Sequence, residues 1–226
     1  MKNKILVVAP HADDEVLGVG GTIRKKVNEG HEVSVIIMTN ANKSIPERYT
    51  LEKLHKIRAV AVKANEILGV KEVLFEDFPA PVLDQFPAYK IAEALHLLLK
   101  KNEYDTIYVP HRGDIHNDHK VIFDAALVAA RPVGNYFVKN IYAYETLSET
   151  EWAHPYASEV FVPTVFEKIE IDDFEIKLKA MECYDSQVRP FPASRSLESL
   201  EALAKYRGCT IQTERAEAFM LIRSIS

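Results

Sequence analysis

Cysteine is nearly missing from this chain: of 226 residues only Cys183 and Cys209 are cysteines, far apart and outside any CxxC pair. That argues against a disulfide framework and a thiolate metal site, and it suits a reducing, cytoplasmic setting. Long apolar runs are missing too, so nothing approaches the roughly 18 residues that a membrane-spanning helix needs. The start, Met1-Lys2-Asn3-Lys4 followed by apolar residues, begins like an export signal, but His11, Asp13, Asp14 and Glu15 cut it short. Positive charge is not in excess: 28 Lys and Arg stand against 33 Asp and Glu, a net charge of −5, and the basic residues are scattered. No electrostatic footprint for nucleic acid results. With 47% hydrophobic and 27% charged residues, and no linker, repeat or low-complexity tract, the chain reads as one soluble domain over residues 1–226.

What is present is an alternation of strand-like and helix-like segments. Residues 5–9, 33–38, 72–75, 106–109 and 141–144 read as strands, with amphipathic stretches between them. That order implies an α/β fold: a Rossmann-like, doubly wound, mostly parallel sheet with helices on both faces. Gly20-Gly21-Thr22 is expected to open a helix that Gly30 closes, and residues 48–68 form a long amphipathic segment stopped by Gly69. Pro79, Pro81 and Pro87 mark a loop over 78–87. Residues 174–184 and 197–207 look helical, and 218–222 read as a final strand.

The chemistry gathers at two strand ends. Pro10-His11-Ala12-Asp13-Asp14-Glu15 follows the first strand, and His116-Asn117-Asp118-His119 follows the fourth through Pro110-His111-Arg112-Gly113-Asp114. In open α/β sheets ligands collect outside the carboxyl ends of the strands. Zinc and similar cations take imidazole nitrogen and carboxylate oxygen, and a catalytic site keeps a position open beside three protein ligands. His11, Asp14 and His119 would make such a set, for Zn2+ on ligand type, with iron or cobalt fitting the same donors. Asp13 could then take a proton from water. His116 could face the same water, as an imidazolium that stabilises an oxyanion and protonates a leaving nitrogen, with Asp118 orienting it or pairing with it.

These residues resemble the LmbE/PIG-L-type zinc-dependent N-deacetylases, which remove acetyl groups from N-acetylglucosamine derivatives. The likeness rests on Pro10-His11-Ala12-Asp13-Asp14-Glu15 with Gly20-Gly21-Thr22, and on His116-Asn117-Asp118-His119. It implies that His11, Asp14 and His119 hold zinc, that Asp13 is the general base, and that His116 acts as electrophile or acid. The expected substrate is a small N-acetylated amino sugar or conjugate, and a homo-oligomer is left open. Fainter similarities are Arg58, the segment Tyr184-Asp185-Ser186-Gln187 after Lys177, Arg207-Gly208, and Ala216-Glu217-Ala218-Phe219. Arg58 is the substrate-binding candidate, although the family's glutamate shortly after that arginine is replaced here by Ala59, Val60 and Ala61.

Two other readings fit parts of the pattern. A metal-containing module that binds a sugar or anion without turnover would need the same ligands. Gly18-Val19-Gly20-Gly21 could begin a dinucleotide fingerprint, but Ile23 stands where its last glycine belongs. His111 and Asp114 are as readily loop-shaping as metal-binding. Tyr144 and Glu145 could line the site or simply pack, and His31, His55, His96 and His154 lack partners at ligand spacing.

Overall fold

The computed structural model describes residues 2–226. Strands β1 (Lys4–Ala9), β2 (Glu32–Asn40), β3 (Glu72–Pro79), β4 (Thr106–Pro110) and β5 (Asn140–Tyr144) alternate with helices α1 (Asp14–Asn28), α2 (Leu51–Leu68), α3 (Ala88–Asn102) and α4 (Asn117–Ala129). The short strand β6 (Val165–Lys168), α5 (Ile171–Glu182), α6 (Leu197–Cys209) and β7 (Ala216–Ser224) follow. The sheet order is β3-β2-β1-β4-β5-β7-β6, parallel from β3 to β5 and antiparallel at β7. This is the doubly wound, mostly parallel architecture expected from the sequence. Among the described residues no helix is long and apolar enough to cross a membrane.

Helices cover the sheet on both faces, so its central strands are apolar throughout. Along β1, Leu6 and Val8 pack with Ile91, Leu95 and Ile122 of α3 and α4. Ile5, Val7 and Ala9 face the opposite way, with Val16, Ile23, Ala61 and Met181. The chain winds from β1 toward β2 on one side and from β4 toward β5 on the other, so the order reverses between β1 and β4. The crevice outside a strand-order reversal is where doubly wound sheets bind ligands. His11 to Asp14 leave β1 at that point, and His116 to His119 follow β4.

The glycines before Ile23 do not open a helix; α1 already starts at Asp14, and they lie inside it. A β-carbon on Gly18 would lie 2.2 Å from Cδ2 of buried Tyr144, and one on Gly21 3.1 Å from Oε1 of Glu217. Glu217 accepts from the backbone N–H groups of Gly21 and Thr22 (2.9 and 2.7 Å) and pairs with Lys177 (2.6 Å), whose ammonium also donates to the Leu17 carbonyl. The glycines therefore admit a buried ion pair and a tyrosine against the helix backbone, a packing role that accounts for them without a dinucleotide. Gly18→Ala should cost about 1–3 kcal/mol of stability through overpacking. An unchanged Tm in thermal unfolding would show that Tyr144 gives way freely.

The segment 78–87 is only partly a loop, because β3 continues through Pro79. β3 is an edge strand, where the missing N–H of proline is tolerated. Helix α2 begins at Leu51 rather than 48, where Thr50 Oγ1 accepts from Lys53 N, and it ends as expected at Gly69, whose φ of 84° suits glycine. The strand β6 carries no signal of its own: its four residues pair on the sheet edge only through β7.

Candidate metal centre

Each imidazole in the crevice is backed by a carboxylate. His119 gives Nδ1 to Asp114 Oδ2 (2.8 Å), and His11 gives Nε2 to Asp118 Oδ2 (3.0 Å). These bonds aim His119 Nε2 and His11 Nδ1 at Asp14 Oδ2, at 3.3 and 3.4 Å. A tetrahedral ion with bonds of about 2.0–2.1 Å sets its ligand atoms about 3.3 Å apart, so the spacing suits an ion of that size. His119 Nε2 and Asp14 Oδ1 are buried without a hydrogen-bond partner, which is costly unless something else engages them. A carboxylate behind each ligating histidine is the usual means of fixing its ring and tautomer. The donor set therefore fits a zinc-class cation.

His11, His116 and Asp118 also converge, but the Asp118 carboxylate and His116 Nδ1 are already engaged. Asp118 Oδ1 accepts from Leu83 N (3.2 Å), and His116 Nδ1 accepts from Asp118 N (3.1 Å). The sequence paired Asp118 with His116; the structure pairs it with His11, because the first turn of α4 turns the carboxylate toward the end of β1. His116 Nδ1 and Asp118 Oδ2 stand 4.0 Å apart. The Asp118 carboxylate is thus placed to orient the His11 ring.

Asp13 sits beside this set on a strained backbone, with φ of 117° in a region that non-glycine residues seldom occupy. Buried Glu15 holds it there by accepting from Asp13 N (3.1 Å), and is itself held by Tyr184 Oη (2.6 Å) and Asn65 Nδ2 (2.9 Å). Although Asp13 caps α1, its side chain makes no capping bond and instead accepts from Arg195 Nη1 (2.8 Å). Arg195 is fixed in turn by Ser148 Oγ and Gln187 Oε1. Nothing in the local sequence marks Arg195; it lies 182 positions from Asp13.

Burial and neighbouring charge compete throughout the site, and burial prevails at Asp13 and His116 but not at His11 and Asp14. Burial pushes Asp13 up to about 8, against the pull of the Arg195 guanidinium. Burial opposes charge on His11 as well, yet its hydrogen bonds to the Asp118 and Asp14 carboxylates push it up to about 9. Asp14 is driven well below the usual carboxylate range by His119 and His11, against burial. Burial and the neighbouring His11 charge lower His116 to about 4. His116 is therefore neutral near pH 7, not the imidazolium expected from the sequence. With Nδ1 accepting from Asp118 N, its proton resides on Nε2. The side chains of His11 and His116, 28% and 29% exposed, form the open side of the centre.

Arg58, the substrate-binding candidate, is anchored at the end of β3. It donates to Asp77 Oδ1 (2.6 Å) and the Glu76 carbonyl and stacks on Phe75, so its guanidinium is committed to β3. His111 Nε2 bonds the Glu159 carbonyl (2.9 Å), a loop-shaping contact. Tyr144 packs, donating to the Val8 carbonyl, and Glu145 pairs with Arg207.

The family model described as PIG-L, GlcNAc-PI de-N-acetylase, matches residues 6–130, more than half of the chain and both motifs. The chain belongs to the PIG-L family. YaiS of Escherichia coli K12, an uncharacterized deacetylase, is 26% identical over 187 residues, covering 80% of this chain and 90% of that one. The N,N'-diacetylchitobiose deacetylase of Pyrococcus horikoshii shares the fold with a TM-score of 0.76 at 24% identity, over 97% of this chain and 84% of that one. The 4-carboxy-2-hydroxymuconate hydratase of Pseudomonas putida shares it equally, with a TM-score of 0.77 at 18% identity over 100% and 98%. The fold by itself therefore does not select the reaction.

For a PIG-L chain so arranged, Arg195→Met should keep its metal but lower kcat by about 10–100-fold, the usual effect of removing an outer hydrogen-bond partner. Arg195→Lys should recover only part of the loss, since it keeps the charge without the planar fork. Wild-type kcat in Arg195→Met would mean that Asp13 holds its place unaided.

Proposed function

We propose that this PIG-L protein is a zinc-dependent N-deacetylase acting on an N-acetylated amino sugar or a conjugate of one. The observation that carries the reading is the converging set His11, Asp14 and His119, with a buried carboxylate, Asp13, held beside it by Arg195. His11, Asp14 and His119 would hold the ion, which supplies Lewis acidity for the acetyl carbonyl and makes water easier to deprotonate. Asp13 takes the proton of the attacking water and passes it to the leaving nitrogen, so that the amide C–N bond breaks to free amine and acetate. Burial makes the Asp13 carboxylate a stronger base than an exposed one, which favours its taking the proton, and a cation held beside it would favour the ionised form before the water attacks. His116, neutral and protonated on Nε2, donates a hydrogen bond to the carbonyl oxygen as negative charge develops there. The N-termini of α1 and α4 open on the same crevice and favour that charge.

A sugar-binding module would use the same ligands but has no use for a strained, arginine-held carboxylate next to them. The test is metal content of the purified protein together with acetate release from N-acetylglucosamine derivatives. About one zinc per chain, with activity lost on chelation and restored by zinc, is expected. Zinc without acetate release from any N-acetylhexosamine derivative would favour the binding module, and protein that takes up no metal would overturn the centre.

A further inference from the structure

The chemistry of Asp13 and His116 leaves one nearby carboxylate unused, that of Glu149. After β5, residues 146–150 form a closed turn: Glu149 N and Thr150 N donate to the Thr146 carbonyl (3.1 and 2.9 Å), and Thr146 N donates to Thr150 Oγ1 (2.8 Å). Thr150 Oγ1 in turn donates to Asp114 Oδ1 (2.6 Å), the carboxylate behind His119, and Ile115 N donates to the Glu149 carbonyl (3.3 Å). The turn is thereby tied both to a ligating histidine and to the residue before His116. Thr146, Leu147, Thr150 and Glu151 line a hollow on its far side, whereas Glu149 turns toward Arg195.

Arg195 donates from Nη1 to Asp13 Oδ2 (2.8 Å) and from Nη2 to Glu149 Oε1 (3.4 Å), so the two carboxylates bracket one guanidinium. Among the described residues nothing bonds Glu149 Oε2, and the side chain is 12% exposed, so that oxygen can accept from a bound molecule. Burial pushes Glu149 up to about 6, which leaves it mostly ionised near neutral pH, and the charges that bear on it are those of His119, Asp14, Arg195 and His11. A carboxylate accepts and does not donate, so it suits an N–H, an ammonium or a hydroxyl. Its place favours nitrogen: a nitrogen that takes its proton from Asp13 comes within about 2.6–3.2 Å of that residue, which brings it to the neighbourhood of Glu149 as well.

We propose that Glu149 holds the reacting nitrogen: it accepts the N–H of the bound amide and then pairs with the ammonium of the product. The assignment rests on the deacetylase reading. Accepting the N–H enriches the nitrogen in electrons and so favours its protonation by Asp13. When the C–N bond breaks, its electron pair stays on nitrogen and acetic acid forms; the proton that this acid releases converts the amine to the ammonium that Glu149 faces. The test is calorimetry near neutral pH on zinc-loaded wild-type and Glu149→Gln protein, with glucosamine and with glucose, in which a hydroxyl replaces the amine. Glucosamine should bind wild-type protein about ten-fold more tightly than glucose, because a hydrogen bond between two charged groups is stronger than one to a hydroxyl. Glu149→Gln keeps the size and an acceptor oxygen but loses the charge; it should cut the preference to below about two-fold while glucose binding stays within about two-fold of wild type. The proposal fails if wild-type protein shows no preference for the amine or if the preference survives in Glu149→Gln. It fails also if the variant loses both sugars alike, which would make Glu149 a structural partner of Arg195 only. Acetate release from N-acetylglucosamine by the wild-type protein reads the reaction separately. Acetate release without the amine preference removes the Glu149 assignment alone. A preference that Glu149→Gln abolishes, without acetate release, leaves an amine-binding group and removes the reaction alone.

Discussion

Asp13→Asn is expected to lower kcat by about 10²–10⁴-fold, the usual contribution of a general base, while the protein keeps its zinc. The two halves of this result have separate causes. Asn cannot accept a full proton, so the water is no longer activated. It does tolerate the left-handed region better than most residues, so the φ of 117° at this position survives the change. Its amide oxygen can still accept from Arg195, and the ligand atoms of His11, Asp14 and His119 are untouched. The check is steady-state kinetics alongside metal analysis. Wild-type kcat would sink the base assignment, and zinc lost together with activity would move Asp13 from proton transfer to metal binding.

His119→Ala should lose the metal, and with it all chelator-sensitive turnover. Removing the outer partner of a ligating histidine already weakens affinity by about 10–100-fold, and removing the ligand itself should exceed that range. The substitution also leaves the buried carboxylates of Asp14 and Asp114 without the imidazole between them, at 3.3 and 2.8 Å. Some loss of stability will therefore accompany the loss of metal. Asp114→Asn separates the two effects, since it keeps the imidazole and an acceptor while weakening its hold. It should fold, bind zinc about 10–100-fold more weakly, and regain activity at high zinc. Equilibrium metal titration and thermal unfolding read both variants. His119→Ala protein that still binds zinc tightly would remove His119 from the ligand set.

What can be read from the chain by itself is what short spacing and strand patterning fix. An apolar run buried on both faces can only be a central strand, and polar groups that follow it directly have nowhere to go but the crevice at its carboxyl end. Residue order alone therefore places His11, Asp13, Asp14, His116 and His119 in one region. Pairings across the sheet are different, because no local pattern encodes them. Asp118 meets His11 across 107 positions and Arg195 meets Asp13 across 182, contacts created by the order of strands and the course of the loops after α5. The charge of His116 likewise depends on burial and on the neighbouring His11, so only the packed site made it neutral. Gly18 and Gly21 signalled a close approach, and tertiary packing decided that Tyr144 and Glu217 make it. Residue identity along the chain thus determined the fold class and the chemistry on offer. The tertiary structure decided which carboxylate serves which imidazole and which arginine holds the base, because a hydrogen bond depends on distance in space rather than in sequence.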